Sequence, residues 1–352
     1  MQIDQMETPI LLLDMDKMEE NFLTMQKIVE KCGIGLRPHY KSHKCLQIAQ
    51  WQIEAGALGI CCAKLGEAED LAKGGIKDIL IANQVVSPSK IARLAHLARG
   101  CHLGVCVDDE ENIKNLEKAA AAAGSTIYCL IEYEVGMNRC GVETMEEFLG
   151  LAKLIKSCPH LEYEGIQAYA GNLAHRKDHD ERKEASQKVD ERVKELMDYL
   201  MEKGMPAAKV SGISTGTSIF KYRGIYNEMQ AGSYLFMDGA YSALGLDFKN
   251  ALFVLSDLLS VKENRIIADA GLKALGTDMG PPQLPGHPGA EAKLSEEHTT
   301  FFLDGHNYKI GAKIIIIPSH GCTTVNLYDK IHMIRGKEVV GVLEVNSRGK
   351  SI

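Results

Sequence analysis

Between residues 34 and 234, strand-like runs alternate regularly with helical patterns, and this rhythm constrains the fold more than any other feature. Such alternation predicts parallel strands joined by helical crossovers. Eight strands within about 200 residues favour a closed (β/α)8 barrel of the α/β class, with an open doubly wound sheet as the alternative. The predicted strands lie near 34–40, 57–63, 78–83, 102–107, 126–133, 162–170, 209–214 and 228–234, and the predicted helices at 44–55, 66–73, 88–98, 110–123, 144–157 and 178–203; the last crossover, 217–227, holds at most a short helix.

After about residue 240 the helical patterns fade and strand-like pieces replace them. This change predicts a mostly β C-terminal domain, which the strand-like run at 10–14 completes. We therefore expect a barrel domain over 16–238 and a β-domain formed by 1–15 plus 239–352. The strands predicted for the β-domain lie at 251–262, 265–269, 299–303, 312–317, 327–334 and 338–345.

Composition narrows the classes of function. A net charge of -7, with no run of Lys or Arg, argues against nucleic acid as a partner. No apolar run reaches the roughly 18 residues that a membrane span needs, and the first residues do not resemble a secretory signal. The ten cysteines include no CxxC pair, so reduced thiols are expected rather than disulfides or a zinc knuckle. These features predict a cytoplasmic protein.

A lysine stands between two histidines where the first barrel strand ends. In an extended Arg37–His43 segment, His39, Lys41 and His43 would share one face. Reactive groups of a barrel lie at the carboxyl ends of its strands, so Lys41 is a candidate nucleophile that forms a Schiff base with a carbonyl. A solvated basic turn is the alternative interpretation.

Two strand ends late in the barrel are rich in glycine and small hydroxyl residues, as phosphate sites are. The loops after strands seven and eight are also the usual phosphate site of this barrel. A lysine and a phosphate site at one barrel mouth suit pyridoxal 5′-phosphate, whereas a sugar or triose phosphate bound through a lysine imine is the alternative. Ordinary barrel-closing turns would explain the same residues, which are Ser214, Thr215, Gly216, Thr217, Gly232, Ser233 and Tyr234.

Four other residues are candidates for chemistry. Arg139 lies in a glycine-rich turn after strand five, where it can bind an oxygen of a cofactor or substrate, and His175 follows strand six, where a general base could stand. His320 and Cys322 are two residues apart and would point the same way in an extended segment. An imidazole and a thiolate suit Zn²⁺ and, less well, Mn²⁺. Surface positions for Arg139 and His175, and a core position for Cys322, are the alternatives.

Taken together, these segments resemble the D-threonine aldolase and D-serine dehydratase group of pyridoxal-phosphate enzymes, which has the alanine-racemase type of fold. The resemblance covers essentially the whole chain. The segments that carry it are Thr8-Pro9 before Ile10–Asp14, Arg37–Lys44, Gly136–Gly141, Gly165–Tyr169, Gln230–Tyr234, Ala268–Gly271, Glu297-His298 and Pro318–Cys322.

The resemblance implies that Lys41, rather than Lys44, carries the cofactor. It implies that Arg139 contacts the ring oxygen, that Tyr169 lies beside the ring, and that the 214–217 and 232–234 segments bind the phosphate. His320 and Cys322 would hold a divalent metal: zinc, manganese or magnesium. The group also implies a homodimer that acts on a small D-amino acid with a β-hydroxyl.

Two lyase reactions follow from the resemblance. Retro-aldol cleavage to glycine and an aldehyde is favoured by Gln167-Ala168-Tyr169, by His175 as the presumed base, and by Val325–Asp329 after the metal pair. Dehydration to a 2-oxo acid and ammonia is favoured by Cys322, because the aldolases of the group often have aspartate there. A non-catalytic pyridoxal-phosphate carrier and a racemase are more remote alternatives. We expect the aldolase reaction.

Overall fold

A computed structural model describes residues 1–221 and 224–352, so residues 222 and 223 of the predicted 217–227 crossover lie outside the described residues. The strands are β1 (Ile10–Asp14), β2 (Gly35–Leu36), β3 (Ile60–Cys62), β4 (Asp78–Ile81), β5 (His102–Val107), β6 (Ile127–Glu132), β7 (Leu161–Ala168), β8 (Lys209–Gly212), β9 (Glu228–Met229), β10 (Leu252–Lys262), β11 (Arg265–Ala268), β12 (Glu291–Leu294), β13 (Thr299–Phe302), β14 (Lys313–Ile316), β15 (Lys330–Arg335) and β16 (Glu338–Glu344). The α-helices are α1 (Met15–Cys32), α2 (Leu46–Glu54), α3 (Leu65–Lys73), α4 (Pro88–Leu97), α5 (Glu110–Ala123), α6 (Met145–Ser157), α7 (His179–Glu202), α8 (Gly239–Ser242) and α9 (Gly321–Val325).

The chain forms two compact units. One contains residues 27–41, 46–232 and 350–352, and the other contains residues 1–26, 42–45 and 233–349. The domain boundaries expected from the sequence, 16–238 and 1–15 plus 239–352, remain a prediction.

The first unit is a closed barrel of parallel strands in the order β2-β9-β8-β7-β6-β5-β4-β3. Backbone hydrogen bonds join the two ends of this strand order and close the barrel. The Leu58 N–H donates to the Leu36 carbonyl at 2.8 Å, and the Cys61 N–H donates to the Pro38 carbonyl at 3.0 Å. The predicted (β/α)8 barrel is therefore confirmed, and the open sheet is wrong.

Helix α5 shows how the sequence sets a crossover. The Asp109 side chain accepts the Asn112 N–H at 2.9 Å and begins the helix. Gly124 ends it with a φ of 62°, a left-handed conformation that glycine adopts without strain. Ile113, Leu116 and Ala120 share one helical face, and their fully buried side chains fix how α5 packs.

A closed ring of six alternating charges joins six strands of the barrel, and four of its members are the first residue of a strand. Each cation contacts two anions, with N–O distances between 2.7 and 3.7 Å. Gly59 makes room for it, since a Cβ there would lie 2.3 Å from the Arg37 guanidinium. The members of the ring follow one another in the order Arg37, Glu228, Lys209, Glu164, His102 and Asp78.

The ring shifts the pKa of its members. Hydrogen bonds with Asp78 and Glu164 raise the pKa of His102 to about 9. Burial acts to raise the pKa of Asp78, but hydrogen bonds from His102 and Arg37 hold it well below its ordinary value. Both shifts stabilise the charged forms that the folded barrel contains.

The second unit is built on a mixed sheet with the order β12-β13-β11-β10-β1-β15-β16, and β14 also pairs with β10. The N-terminal strand β1 lies inside this sheet, antiparallel to β10 and parallel to β15. Leu11, Leu12 and Leu13 are fully buried there. The predicted β-domain with an N-terminal strand is confirmed.

Several local predictions were wrong. The Arg37–His43 segment is not extended throughout, because a 3-10 turn covers Tyr40–Ser42 and removes the alternation of faces. The His320–Cys322 segment is not extended either, since α9 begins at Gly321. Strand β12 was missed because its sequence, Glu291–Leu294, is too polar and too short to stand out.

In the two described ranges, no helix is both long and apolar enough to cross a membrane. All ten cysteines lie in these ranges, and no two of them form a disulfide in the structure.

The charge ring makes stability depend on pH. The contribution of His102 is fully present below its ordinary pKa of about 6.5 and is lost as the pH rises through about 9. We expect His102→Gln to flatten the fall in the free energy of unfolding between these values. The effect should be on the order of 1 kcal/mol, because the imidazole is partly exposed and water screens its charge.

Urea unfolding of both proteins at several pH values measures this difference, and the exposed His96→Gln variant is the matched control. An alkaline loss of stability that is as steep in His102→Gln as in the parent chain would contradict the assignment.

Candidate active site

Lys41 lies in a cavity of about 140 Å³ at the carboxyl end of β2, together with His39, Arg139 and Tyr169. Its Nζ atom is 5.6 Å from the centre of the Tyr169 ring. The Lys41 N–H donates to His39 Nδ1 at 3.3 Å, which orients that imidazole within the turn. His43 is fully buried, and its ring packs edge-on against Phe236. Lys41 is therefore placed as the barrel prediction required, but His43 is not part of a shared face.

Two buried glutamines form another wall of this cavity. Gln230 Nε2 donates to Gln167 Oε1 at 2.7 Å and to Ser211 Oγ at 2.9 Å, so both amides are held in one orientation. The remaining described lining residues are Ala63, Ala82 and Asn83, and none of the described lining residues is a carboxylate.

Arg139 reaches the cavity from the turn after β6. Its Nη2 lies 3.4 Å from Glu132 Oε1, and Glu132 also accepts a hydrogen bond from Gln84 Nε2 at 2.7 Å. Glu134 Oε1 accepts the N–H groups of two residues of the turn, Gly136 and Asn138, each at 2.8 Å. About half of the Arg139 side chain is exposed, so a cofactor or substrate oxygen can reach it.

The predicted phosphate segment 214–217 is a buried 3-10 turn. The hydroxyls of Ser214 and Thr217 lie 3.1 Å apart, and the Thr217 hydroxyl also accepts the Ser214 N–H at 3.3 Å. A Cβ at Gly216 would lie 2.1 Å from the Ala174 carbonyl oxygen, so only glycine fits. These residues belong to the barrel unit but do not line the Lys41 cavity.

His175 is half-buried in the loop after β7, directly after Ala174. The close contact between Ala174 and Gly216 therefore places the backbone of the predicted base loop against the predicted phosphate turn. His175 does not line the Lys41 cavity, and its role remains a prediction.

The other predicted phosphate segment crosses from one unit to the other. Gly232 is buried at the end of the barrel unit, whereas Ser233 and Tyr234 belong to the second unit. Tyr234 is fully buried, and its ring packs edge-on against Phe22 with centroids 6.2 Å apart.

The predicted metal pair lies at the start of α9 in the second unit. Burial acts to lower the pKa of His320, but hydrogen bonds and charges of Cys322 and Asp278 together raise it to about 9. His320 Nδ1 is 2.6 Å from Asp278 Oδ2. The Cys322 thiol lies 3.7 Å from the hydroxyl of Ser42, the residue that follows Lys41 in the sequence.

The family of the chain is shown by comparison with known proteins. Residues 13–240, more than half of the chain, match the model of the alanine racemase N-terminal domain. The chain belongs to this alanine racemase family. Residues 251–334 match a second model, described as a putative serine dehydratase domain.

Members of the family resemble the chain over its full length. It is 37% identical to D-threonine aldolase of an Arthrobacter species, over 99% of this chain and 94% of the relative. It is also 37% identical to 3-hydroxy-D-aspartate aldolase of Paracoccus denitrificans, over 98% and 93%. The crystal structure of D-threonine aldolase from Filomicrobium marinum superposes with a TM-score of 0.96 at 36% identity, covering 99% of this chain and 98% of that one.

A more distant relative, at 27% identity over 91% of this chain and 92% of its own length, is D-threo-3-hydroxyaspartate dehydratase of Delftia. The relatives are thus named lyases of both predicted kinds. The resemblance to the aldolase and dehydratase group is confirmed.

The barrel cavity fits the cofactor that this family implies. Its volume of about 140 Å³ gives room for one aromatic ring, since a cavity of roughly 150 Å³ holds benzene. Its wall supplies an amine, a guanidinium and an aromatic face, the groups that a pyridoxal aldehyde, ring oxygen and ring would meet.

The metal pair fits more loosely. An imidazole nitrogen and a thiol sulfur suit Zn²⁺. Within residues 1–221 and 224–352, however, no group of three or more His, Cys, Asp or Glu could hold a metal ion. A metal ion on His320 and Cys322 would take its other ligands from solvent or substrate.

Sequence reasoning missed the residues that hold the candidate groups in place. Asp278, Glu132 and Gln84 lie in no motif, and their partners are far away in the sequence or in separate turns. For Gln230, which lines the cavity, the sequence did offer one signal: this residue belongs to a segment that carries the family resemblance.

The cavity predicts a spectroscopic property. We expect the purified chain with pyridoxal 5′-phosphate to absorb near the boundary of the ultraviolet and visible ranges, and Lys41→Ala to lose this band, because only Lys41 presents an amine to the described cavity wall. Lys44→Met is the control and should keep the band. Retention of the band in Lys41→Ala would show that another amine holds the cofactor.

Proposed function

We propose that this chain is a pyridoxal-phosphate and divalent-metal-dependent lyase that cleaves D-threonine-like substrates to glycine and an aldehyde. The observation that carries the proposal is the full-length likeness to a named D-threonine aldolase, at 37% identity, in a chain whose barrel cavity contains Lys41. The 3-hydroxy-D-aspartate aldolase relative supports the same reaction with a different side chain on the substrate.

Three cavity residues have defined tasks in this proposal, and two segments outside the cavity lining add a fourth. Lys41 binds the cofactor aldehyde through its amine, Arg139 donates to the ring oxygen, and Tyr169 packs beside the ring. The 214–217 and 232–234 segments bind the phosphate. When bound, pyridoxal 5′-phosphate supplies an electron sink for the bond that breaks next to the amino group.

His175 removes the proton from the substrate β-hydroxyl. The Cα–Cβ bond then breaks, an aldehyde leaves, and Cα takes up a proton to yield glycine. Histidine suits this work because a positioned imidazole is the side chain that most often accepts and returns a proton in catalysis.

His320 and Cys322 hold the divalent metal, with zinc, manganese and magnesium as the candidates. A bound divalent cation acts as a Lewis acid toward a hydroxyl oxygen. The imidazole and thiolate donors favour zinc over the harder cations.

Dehydration of a D-β-hydroxy-amino acid is the second candidate function. Cys322 favours it, since aspartate at this position is more typical of the aldolases that the chain resembles. The Delftia dehydratase also resembles the chain over most of its length, although at lower identity. A non-catalytic cofactor carrier is disfavoured by the match of residues 251–334 to a serine dehydratase domain.

The proposal extends to the assembly and location of the protein. We place the chain in the cytoplasm, as ten cysteines without a disulfide suggest, and expect a homodimer from the family resemblance. Light scattering after size-exclusion chromatography measures the dimer directly, and a monomer at micromolar concentration would contradict it.

Incubation with D-threonine distinguishes the two reactions. We expect glycine and acetaldehyde, because retro-aldol cleavage breaks the Cα–Cβ bond and leaves the nitrogen on glycine. Chromatography of the products gives the answer: 2-oxobutanoate with ammonia would instead establish the dehydratase. L-threonine is the control substrate and should give neither pair of products.

Two changes probe the proposed groups. His175→Ala should lower kcat for cleavage by about 10²–10⁴-fold, the usual contribution of a general base.

Removal of metal by a chelator should abolish turnover without changing the cofactor absorption, because the metal pair does not hold the cofactor.

His179→Ala, a nearby exposed histidine, is the control for His175→Ala. Full activity of His175→Ala would contradict the role of His175 as the base. Turnover that survives exhaustive chelation would contradict the role of the metal.

A further inference from the structure

An acidic side chain outside every predicted motif holds the metal-pair histidine. Asp278 Oδ2 lies 2.6 Å from His320 Nδ1, and Asp278 Oδ1 accepts the Thr323 hydroxyl at 2.7 Å. Both oxygens of the Asp278 carboxylate are therefore held, one by His320 and the other by Thr323 of helix α9.

The loop that carries Asp278 is attached to the same helix. The Gly276 N–H donates to the Thr324 hydroxyl at 3.0 Å, and the Ser319 hydroxyl donates to the Gly276 carbonyl at 2.8 Å. A Cβ at Gly276 would lie 2.1 Å from Thr323 Oγ1, so the loop packs on α9 with no space to spare. The position of Asp278 is thus built into the fold, although about half of its side chain is exposed.

A carboxylate at this place has a chemical consequence for His320. When Nδ1 carries the proton and donates it to Asp278, the neutral ring must offer its lone pair at Nε2. The carboxylate also makes the ring a stronger electron donor, as carboxylate partners of metal-binding histidines do. Cys322, which shares a hydrogen bond with His320, would supply the second donor.

We propose that Asp278 is a positioning residue that keeps His320 in the tautomer whose Nε2 binds a divalent metal. This inference rests on the metal role of His320 and Cys322 in the proposed function. It adds the residue that determines how tightly the pair binds its ion, which neither the motifs nor the family resemblance assigned.

A stabilising surface ion pair is the competing explanation for the contact. Exposed pairs of this kind contribute little to folding, and about half of the Asp278 side chain is exposed. Loss of Asp278 should therefore leave the fold intact, which makes metal affinity a clean measure of its role.

Zinc binding to the full-length, cofactor-loaded protein, stripped of metal beforehand, tests the proposal. Titration against a competing chelator should give a zinc affinity that is about 10–100-fold weaker in Asp278→Ala than in the parent chain, as for other partners of metal-bound histidines. Asp278→Asn should lose less, because its amide oxygen can still accept a hydrogen bond from Nδ1–H. Asp304→Ala, an exposed carboxylate of the same unit, is the matched control and should bind zinc normally.

Cobalt absorption gives a second readout, which a general loss of stability would not imitate. We expect Co²⁺ bound to Asp278→Asn to keep the thiolate charge-transfer band and ligand-field pattern of the parent chain, since the same two donors bind the ion. A changed pattern, with Asp278→Ala as defective as His320→Ala, would make Asp278 a direct ligand and overturn the positioning role.

The remaining outcomes separate the two proposals. If the parent chain binds zinc and Asp278→Ala binds it within twofold as tightly, the positioning role is wrong and the metal pair stands. If the parent chain binds no zinc, the proposed metal function fails, and the inference fails with it.

Discussion

The closed ring of six alternating charges is the constraint on which the barrel depends. Arg37 is almost fully buried, and its guanidinium meets Glu228 and Asp78 at 2.7 Å each. Arg37 and Glu228 are both buried, and removal of one member of such a pair leaves an uncompensated charge and typically costs about 3–5 kcal/mol. Arg37 directly follows β2 and precedes the turn with Lys41, so the charge ring and the cavity share one short segment.

The fold was predictable because its signals are local and repeated. Apolar runs mark the strands of the barrel, and caps such as Asp109 mark where helices begin. An error at one boundary therefore does not change the predicted number of strands and helices. Lys41, Arg139 and Tyr169 could be placed together because parallel strands of a barrel bring their carboxyl ends to one mouth. Family resemblance, rather than periodicity, selected Lys41 over Lys44.

The contacts that support the barrel and the candidate site could not be predicted, because their signals are neither local nor repeated. The charge ring joins residues up to 191 positions apart, such as Arg37 and Glu228, and no local pattern marks such a pair. Asp278 and His320 are 42 positions apart and lie in irregular segments whose approach depends on a glycine contact. The turn at Tyr40–Ser42 was mistaken for extended chain because a single 3-10 turn has no periodicity to detect.

The contact of Gly216 with the Ala174 carbonyl has a consequence for redesign of the protein. The two loops that meet there have different proposed tasks, one in phosphate binding and the other in proton transfer. Because nothing larger than glycine fits between them, a shift in one loop must displace the other. Directed evolution that samples the His175 loop alone would therefore also select for altered retention of the cofactor, and libraries that vary both loops together would explore substrate range more freely.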